Sequence, residues 1–396
     1  MTPPVSQPLE GGENRSPNPA ADFASGSSPR PAFQEAKGET TGSGIESVTP
    51  EVAGRTLPIH PIILRDVPSR PDSPPTQAQL NRLHRTLTQR DLVILQCLYD
   101  YRYLDTLQVK ELFFPSLRSC QMRVQSLNDL GVLHRWKVIE TPGVKRRHSL
   151  LLISSLGARV LADRHRDEPR TYIERARNAR DHCWHALHDL GANQFFVSLA
   201  IHSHRRPGEG LMVWQGEDQA RIDYRQQARE YRWPAPAPDG GGAYLTAAGQ
   251  IQFDLEWDRA TESIARLRQK IASHVGFWTH FRNPQTHHVL VVLPTDEREG
   301  RVQRAIWLER SHYQSQDCCT FWTTIVDRLR RWGAADAIWL GVNLRADKPL
   351  RPEETTLRLR TPLDRFRAIR RSPGTIEDCI GKPSWWLRRP GGGEAA

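Results

Sequence analysis

In "IQFDLEWD" (251–258) three acids alternate with large apolar residues, so that Asp254, Glu256 and Asp258 share one face while Ile251, Phe253, Leu255 and Trp257 share the other. Such period-two alternation reads as a β-strand. Residues two apart on a strand lie roughly 6.5–7 Å from Cα to Cα, and carboxylates in such a row repel one another unless positive charge sits among them. A divalent cation is one solution. Mg²⁺ and Mn²⁺ prefer hard oxygen ligands, and a bound ion activates water and steadies the charge that develops in displacement at a phosphodiester. Asp239 of "PDGGG" would join from the end of a neighbouring strand, where three glycines allow a tight approach. The other solution is a solvent-facing strand neutralised by Arg259, Arg266 or Lys270. Composition and spacing leave both open.

The elements around this strand follow an α/β order. A helix in "CWHALHDLGANQFFVSLAIHSHRR" precedes a strand "LMVWQ", a Pro/Gly-rich bend ending in "PDGGG", and the acidic strand itself. Then come a helix in "ATESIARLRQKIASHVGFWTHF", a strand "HHVLVVL", a helical stretch and a strand "AIWLGV". This order predicts a central sheet flanked by helices over 180–345. On the helix after the acidic strand, Glu262, Arg266 and Lys270 form an i, i+4, i+8 stripe that could face the acids.

Upstream, "TQRDLVILQCLYDYRYL" opens with a capping-box pattern at Thr88 and Asp91 and continues at helical spacing. "DTLQVKELFF" reads as a second helix, capped by Asp105 or Thr106 and closed by Pro115. "SLRSCQMRVQSLNDLG" reads as a third, burying Leu117, Cys120, Val124, Leu127 and Leu130, with Gly131 as its exit. Strand "VLHRWKVIE", turn "TPGVKRR", strand "HSLLLIS" and a helix capped by Ser154 or Ser155 complete a winged helix-turn-helix over 86–168. Arg118, Gln121 and Gln125 on the third helix, with Met122 beside them, are types that reach base edges or phosphates. Lys145, Arg146 and Arg147 would let the turn grip a DNA backbone.

The layout of "PD" followed by an acidic strand resembles the PD-(D/E)XK nuclease superfamily. The longer pattern "PDGGG…FDLEWDRATES…RLRQKI", with "HALHDLGANQFF" before it, resembles the replication-relaxation family of plasmids and other mobile elements. That resemblance implies DNA binding in plasmid replication or relaxation, and a restriction-endonuclease-like domain that nicks DNA with Mg²⁺ or Mn²⁺. By position, Asp239 and Glu256 become metal ligands and catalytic acids. Asp258 stands where the superfamily has a lysine, so it would assist the metal or position water, while Lys270 would supply the missing positive charge at the phosphate. A degenerate site on a nuclease scaffold is the alternative, in an initiator or relaxosome accessory protein or a winged-helix interaction module. Glu217 is a further candidate ligand. The implied partners are double-stranded DNA and a relaxase or replication proteins, and a homodimer is compatible with them.

The whole chain fits this picture as an α+β multidomain protein. Its 396 residues suffice for two domains, and a net charge of +10 favours a polyanionic partner. Residues 1–85 are rich in Pro, Ser, Gly and charge and are expected to be disordered. Residues 346–396 read as a basic tail, and 164–182 as a basic, polar connector. Six cysteines without CxxC pairing suggest a reduced, cytoplasmic protein, and no apolar run approaches a membrane span. His182, Cys183, His185 and His188 lack the second ligand pair of a zinc site, and "HSH" (202–204) lacks the large apolar centre of a nickase histidine pair.

Overall fold

The computed structural model describes residues 75–137, 149–206, 208–231, 234–280, 287–311, 319–342 and Leu363, all within one compact unit, Ile59–Ala396. The fold is α+β, with eleven α-helices and two sheets among the described residues. Order begins earlier than composition suggests. Gln77–Thr86, inside the stretch expected to be disordered, forms α1, closed by a Thr76–Gln79 capping box and anchored by buried Leu80 and Leu83. The tail 346–396 and the basic turn with Lys145, Arg146 and Arg147 lie outside the described residues, except for Leu363, which is buried.

The first region follows from its caps. α2 (Gln89–Tyr101) carries the Thr88–Asp91 capping box. After the short β1 (Leu104–Asp105), Asp105 caps α3 (Thr106–Phe113). Ser116 caps α4 (Leu117–Asp129), which buries Cys120, Val124 and Leu127. Leu117, expected inside, is 39% exposed, because it is the first residue of the helix and precedes the turn that packs. β2 (Leu133–Lys137) and β3 (Ser149–Ile153) pair antiparallel, and β1 adds to β3 to give the order β1-β3-β2. Ser154 caps α5 (Ser155–His165) through a bond from Gly157 N at 3.0 Å.

The connector is a helix. α6 (Pro169–Asp181) starts with Pro at its first position, as suits a group with no N–H to satisfy, and leads through a 3₁₀ turn at Cys183–His185 into α7 (Ala186–Arg205). His182, Cys183, His185 and His188 therefore span three elements and not one helix face. β4 (Gly210–Gly216) is followed by α8 (Glu217–Tyr231), where a bend was expected. The remaining elements are β5 (Gly240–Thr246), β6 (Gly249–Trp257), α9 (Ile264–His280), β7 (His287–Leu293), α10 (Asp296–Ser311), β8 (Cys319–Ile325), α11 (Val326–Trp332) and β9 (Leu340–Gly341). β8 arises from "CTFWTTI", outside any expected strand, and the strand within "AIWLGV" is only Leu340–Gly341.

The six strands run in the order β4-β5-β6-β7-β8-β9, with β6, β7 and β8 mutually parallel and the outer pairings antiparallel. One face packs on α7 through Phe195 and Phe196 against Phe253. The other takes Leu267, Ile271 and Val275 of α9 with Val289, Val291 and Phe321. The first core continues into the helical region without a break: Tyr101 stacks on Trp214 at 3.7 Å, and Asn193 Nδ2 donates to the carbonyls of Tyr101 and Tyr103 at 3.1 and 2.7 Å.

Candidate functional site

Asp239 enters the site because β5 starts immediately after it. Its N–H donates to Leu255 O at 2.9 Å, and its Oδ2 accepts from Trp257 N at 2.7 Å, so the side chain is clamped to the end of β6. The glycines that follow are needed for packing: a Cβ on Gly242 would stand 2.7 Å from the Phe253 ring and 2.9 Å from Val213 O. Glu256 reaches the same place from β6, on the face that α9 covers. The two carboxylates are only 4% and 5% exposed. They lie near the carboxyl end of a parallel strand, where open α/β sheets place ligands.

Lys270 of α9 joins them. Its Nζ lies 3.2 Å from Glu256 Oε2, 3.9 Å from Asp239 Oδ1 and 3.5 Å from Glu262 Oε2. The structure thus brings Asp239, Glu256 and Lys270 together. Burial alone would lower the Lys270 pKa, but the charges of Glu256, Asp239 and Glu262 raise it above its ordinary value, so the ammonium stays charged. Burial likewise opposes ionisation of Asp239, yet the hydrogen bond and charge of His188, the charge of Lys270 and the Trp257 N–H hold it below 3.8.

Asp258 goes elsewhere. Its Oδ2 accepts from Arg298 Nε of α10 at 2.7 Å, its Oδ1 accepts from Ala260 N at 2.8 Å, and its backbone N–H donates to Val292 O. It lines the same groove, but both of its oxygens already hold the loop that follows β6. Glu217 is similarly engaged, by Arg102 Nη1 at 2.7 Å and Arg221 Nη2 at 2.5 Å. Asp254, first in the acidic row, is not among the residues that line the groove. It accepts from Tyr224 OH at 2.5 Å and meets His287 Nε2 at 2.9 Å and His274 Nδ1 at 3.3 Å.

Two histidines complete the site, neither of them assigned to it from the sequence. His274 Nε2 contacts Glu256 Oε1 at 2.9 Å, forming a carboxylate–imidazole–carboxylate chain with Asp254. Burial would lower its pKa, but the bonds to Asp254 and Glu256 raise it to about 9. His188 Nε2 lies 3.2 Å from Asp239 Oδ1 and is raised by that carboxylate against its own burial. His274 falls at i+4 from Lys270, which is the signal that could have found it. His188 stood out only with His182, Cys183 and His185, and nothing in the sequence ties it to the distant Asp239.

These groups form the floor of a groove of about 940 Å³. Its walls come from α6 and the 3₁₀ turn (Arg175, His182, His185), from α8 (Glu217, Arg221) and from the loop after β6 with α9 (Arg259, Arg266). Arg102, at φ 62, reaches in from the end of α2 and binds Asp218 and Glu217, and its Nη1 lies 3.5 Å from Asp189. Burial lifts the Asp189 carboxyl to about 6 in spite of Arg102. Asp239 and Glu256 could hold a Mg²⁺ or Mn²⁺. Both are hard oxygen donors that already share one cation, Lys270, and such ions keep several water or phosphate ligands of their own. No group of three or more His, Cys, Asp or Glu placed to hold a metal occurs among the described residues.

On α4, Arg118 and Gln121 are exposed and Met122 is 66% exposed. Gln125 is committed within the protein: its Nε2 donates to Asp129 Oδ1 at 2.8 Å, and its Oε1 accepts from Arg135 Nη1 at 2.9 Å. Arg123 is also internal, paired through Nε with Asp91 Oδ1 at 2.8 Å. No helix among the described residues is long and apolar enough to cross a membrane. Cys97, Cys120, Cys183 and Cys319 form no disulfide among the described residues.

A mixed sheet with a buried pair of acids at a strand end, joined to a helical region with an antiparallel hairpin, defines the class. The family model described as Replication-relaxation matches residues 95–293, half of the chain, and the protein belongs to that family. No curated protein and no solved structure matches it.

Proposed function

We propose that the protein binds DNA in plasmid replication or relaxation and that its groove is a metal-dependent DNA-nicking site. The observation that carries this reading is the convergence of Asp239, Glu256 and Lys270 from three separate elements onto one buried point. Family membership supports the replication-related setting. Asp239 and Glu256 would hold Mg²⁺ or Mn²⁺, which when bound supplies an activated water and charge stabilisation for phosphodiester displacement. Lys270 places a fixed positive charge where the phosphate must approach. His274 fixes the orientation of Glu256, and the Trp257 N–H fixes that of Asp239. Asp258, whose oxygens accept from Arg298 and Ala260 N, would serve first to hold the loop beside the metal ligands.

The helical region supports DNA binding in the same terms. The order α2, α3, α4 and a β2–β3 hairpin is that of a winged helix, and α4 offers Arg118 and Gln121 to a major groove, with Met122 suited to a thymine methyl. Gln125, exposed on the same helix, bonds Arg135 and Asp129 and would have to exchange those bonds to reach DNA. Lys145, Arg146 and Arg147 would hold the backbone.

One observation favours a second reading. Both acids are already neutralised within the protein, by Lys270, His188 and His274. A non-catalytic initiator or relaxosome accessory protein on a degenerate nuclease fold would look the same. The two are separated by relaxation of supercoiled plasmid in Mg²⁺: Asp239→Ala and Glu256→Ala should each abolish nicking while DNA affinity is retained. Nicking that survives both substitutions would exclude this site.

A further inference from the structure

The groove's cations are mostly spoken for. Arg175 meets Asp218 at 3.3 Å, Arg221 meets Glu217 at 2.5 Å, and Lys270 meets Glu256 at 3.2 Å. Arg259 differs. It lines the same groove from the loop between β6 and α9, is half-buried, and has no hydrogen bond or ion pair with any described residue. Burial lowers its pKa from the ordinary value, and no carboxylate opposes that shift. A partly desolvated guanidinium with no carboxylate beside it among the described residues is poised to take an anion. Arg266, also in the groove, is exposed and lacks this desolvation.

The backbone on either side of Arg259 is pinned. Asp258 N donates to Val292 O at 2.9 Å, Asp258 Oδ1 accepts from Ala260 N, and Arg298 ties Asp258 to Glu262 O at 2.8 Å. Ala260 is held at φ 58, in the left-handed region that a non-glycine residue adopts only at a cost. The strained turn, the anchored Asp258 and the unpaired guanidinium are consecutive residues at the edge of the acidic floor.

We propose that Arg259 is the phosphate-binding residue of the groove, contacting a backbone phosphate of DNA beside Asp239, Glu256 and Lys270, and that Asp258 is the positioning residue that holds its loop. This rests on the reading of the groove as a DNA site. The planar guanidinium presents paired donors that match two phosphate oxygens, which an ammonium does not. It also accounts for the acid at position 258: a carboxylate there holds the turn, while the next residue adds a positive charge for the phosphate to that of Lys270.

The test uses the full chain, a fluorescein-labelled duplex of mixed sequence, and fluorescence anisotropy in EDTA over a series of NaCl concentrations. Without a divalent ion the duplex stays uncut and the counterions released are monovalent, so the reading does not depend on cleavage. Arg259→Gln should weaken binding several-fold at low salt and reduce the slope of log K against log salt by about 0.9, the value for one lost phosphate contact. Arg259→Lys should keep the slope, which separates loss of charge from misfolding. Arg268→Gln, which removes an ion pair with Glu309 outside the groove, should match the wild type. Unchanged slope and affinity in Arg259→Gln would overturn the proposal, and would do so even where the wild type nicks plasmid. The expected loss in a protein that never nicks would leave the phosphate contact standing and remove the nuclease reading alone.

Discussion

Glu256 is gripped from two sides, by Lys270 on Oε2 and His274 on Oε1, and that grip has a consequence for stability. His274 is raised from 6.5 to about 9 in the folded protein. A base held this way stabilises the fold fully below its unfolded pKa, and that contribution drains away as pH rises through the folded value. Asp254, in the same chain, is depressed below 3.8, so its contribution is present above that value and is lost as pH falls. The melting temperature should therefore decline between pH 6.5 and pH 9. In His274→Gln the protein should melt lower at pH 6 and show a flatter profile across the same window, read by circular dichroism. Parallel profiles for the two proteins would mean that the imidazole is not the charged link between Asp254 and Glu256. The row of acids was visible in the sequence, and so was the candidate lysine. The histidines that neutralise the row were not, because strand alternation identifies the acids that share a face but says nothing about which side chains of a packed helix will meet them.

At the scale of the element, α4 carries two kinds of arginine that look alike in sequence. Arg118 is exposed, whereas Arg123 reaches across to Asp91, a carboxylate with no solvent exposure that also closes the cap of α2. Arg123→Ala leaves that carboxylate without its cation and should cost about 3 kcal/mol in chemical denaturation, as for other broken buried pairs. Arg118→Ala should leave stability within about 0.5 kcal/mol. Its effect should fall on DNA sequence choice, with about 1–3 kcal/mol less discrimination at one base pair in binding-site selection. An Arg118→Ala protein with unaltered sequence preference would take α4 out of the major groove. The caps that start these helices were legible, since Thr88, Asp105 and Ser154 each accept a backbone N–H as their residue types require. α6 and α8 were not. The buried side of α6 is largely Ala176 and Ala179, too small to mark an amphipathic period, and α8 is followed by Pro234, Pro236 and Pro238, which drew the whole stretch toward a bend. β8 was missed because three threonines interrupt its apolar pattern.

Across the whole molecule, the helical region and the sheet share a core, so the groove is built jointly. Arg102 at the end of α2 binds acids of α8, Tyr101 stacks on Trp214 of β4, and α6 forms a wall. Under the proposed function, DNA held by α4 and DNA in the groove would be held by one body. The proposed function requires Asp239 and Glu256 to be a cation site and not merely a neutralised pair. The decisive measurement is calorimetric titration of Mn²⁺ into the wild-type protein and into Glu256→Gln at pH 7.5. One Mn²⁺ per chain is expected in the wild type, with binding at least about ten-fold weaker in the variant. No Mn²⁺ uptake by the wild type, or equal uptake by both, would contradict it and leave the acids as the salt-bridged floor of a binding groove.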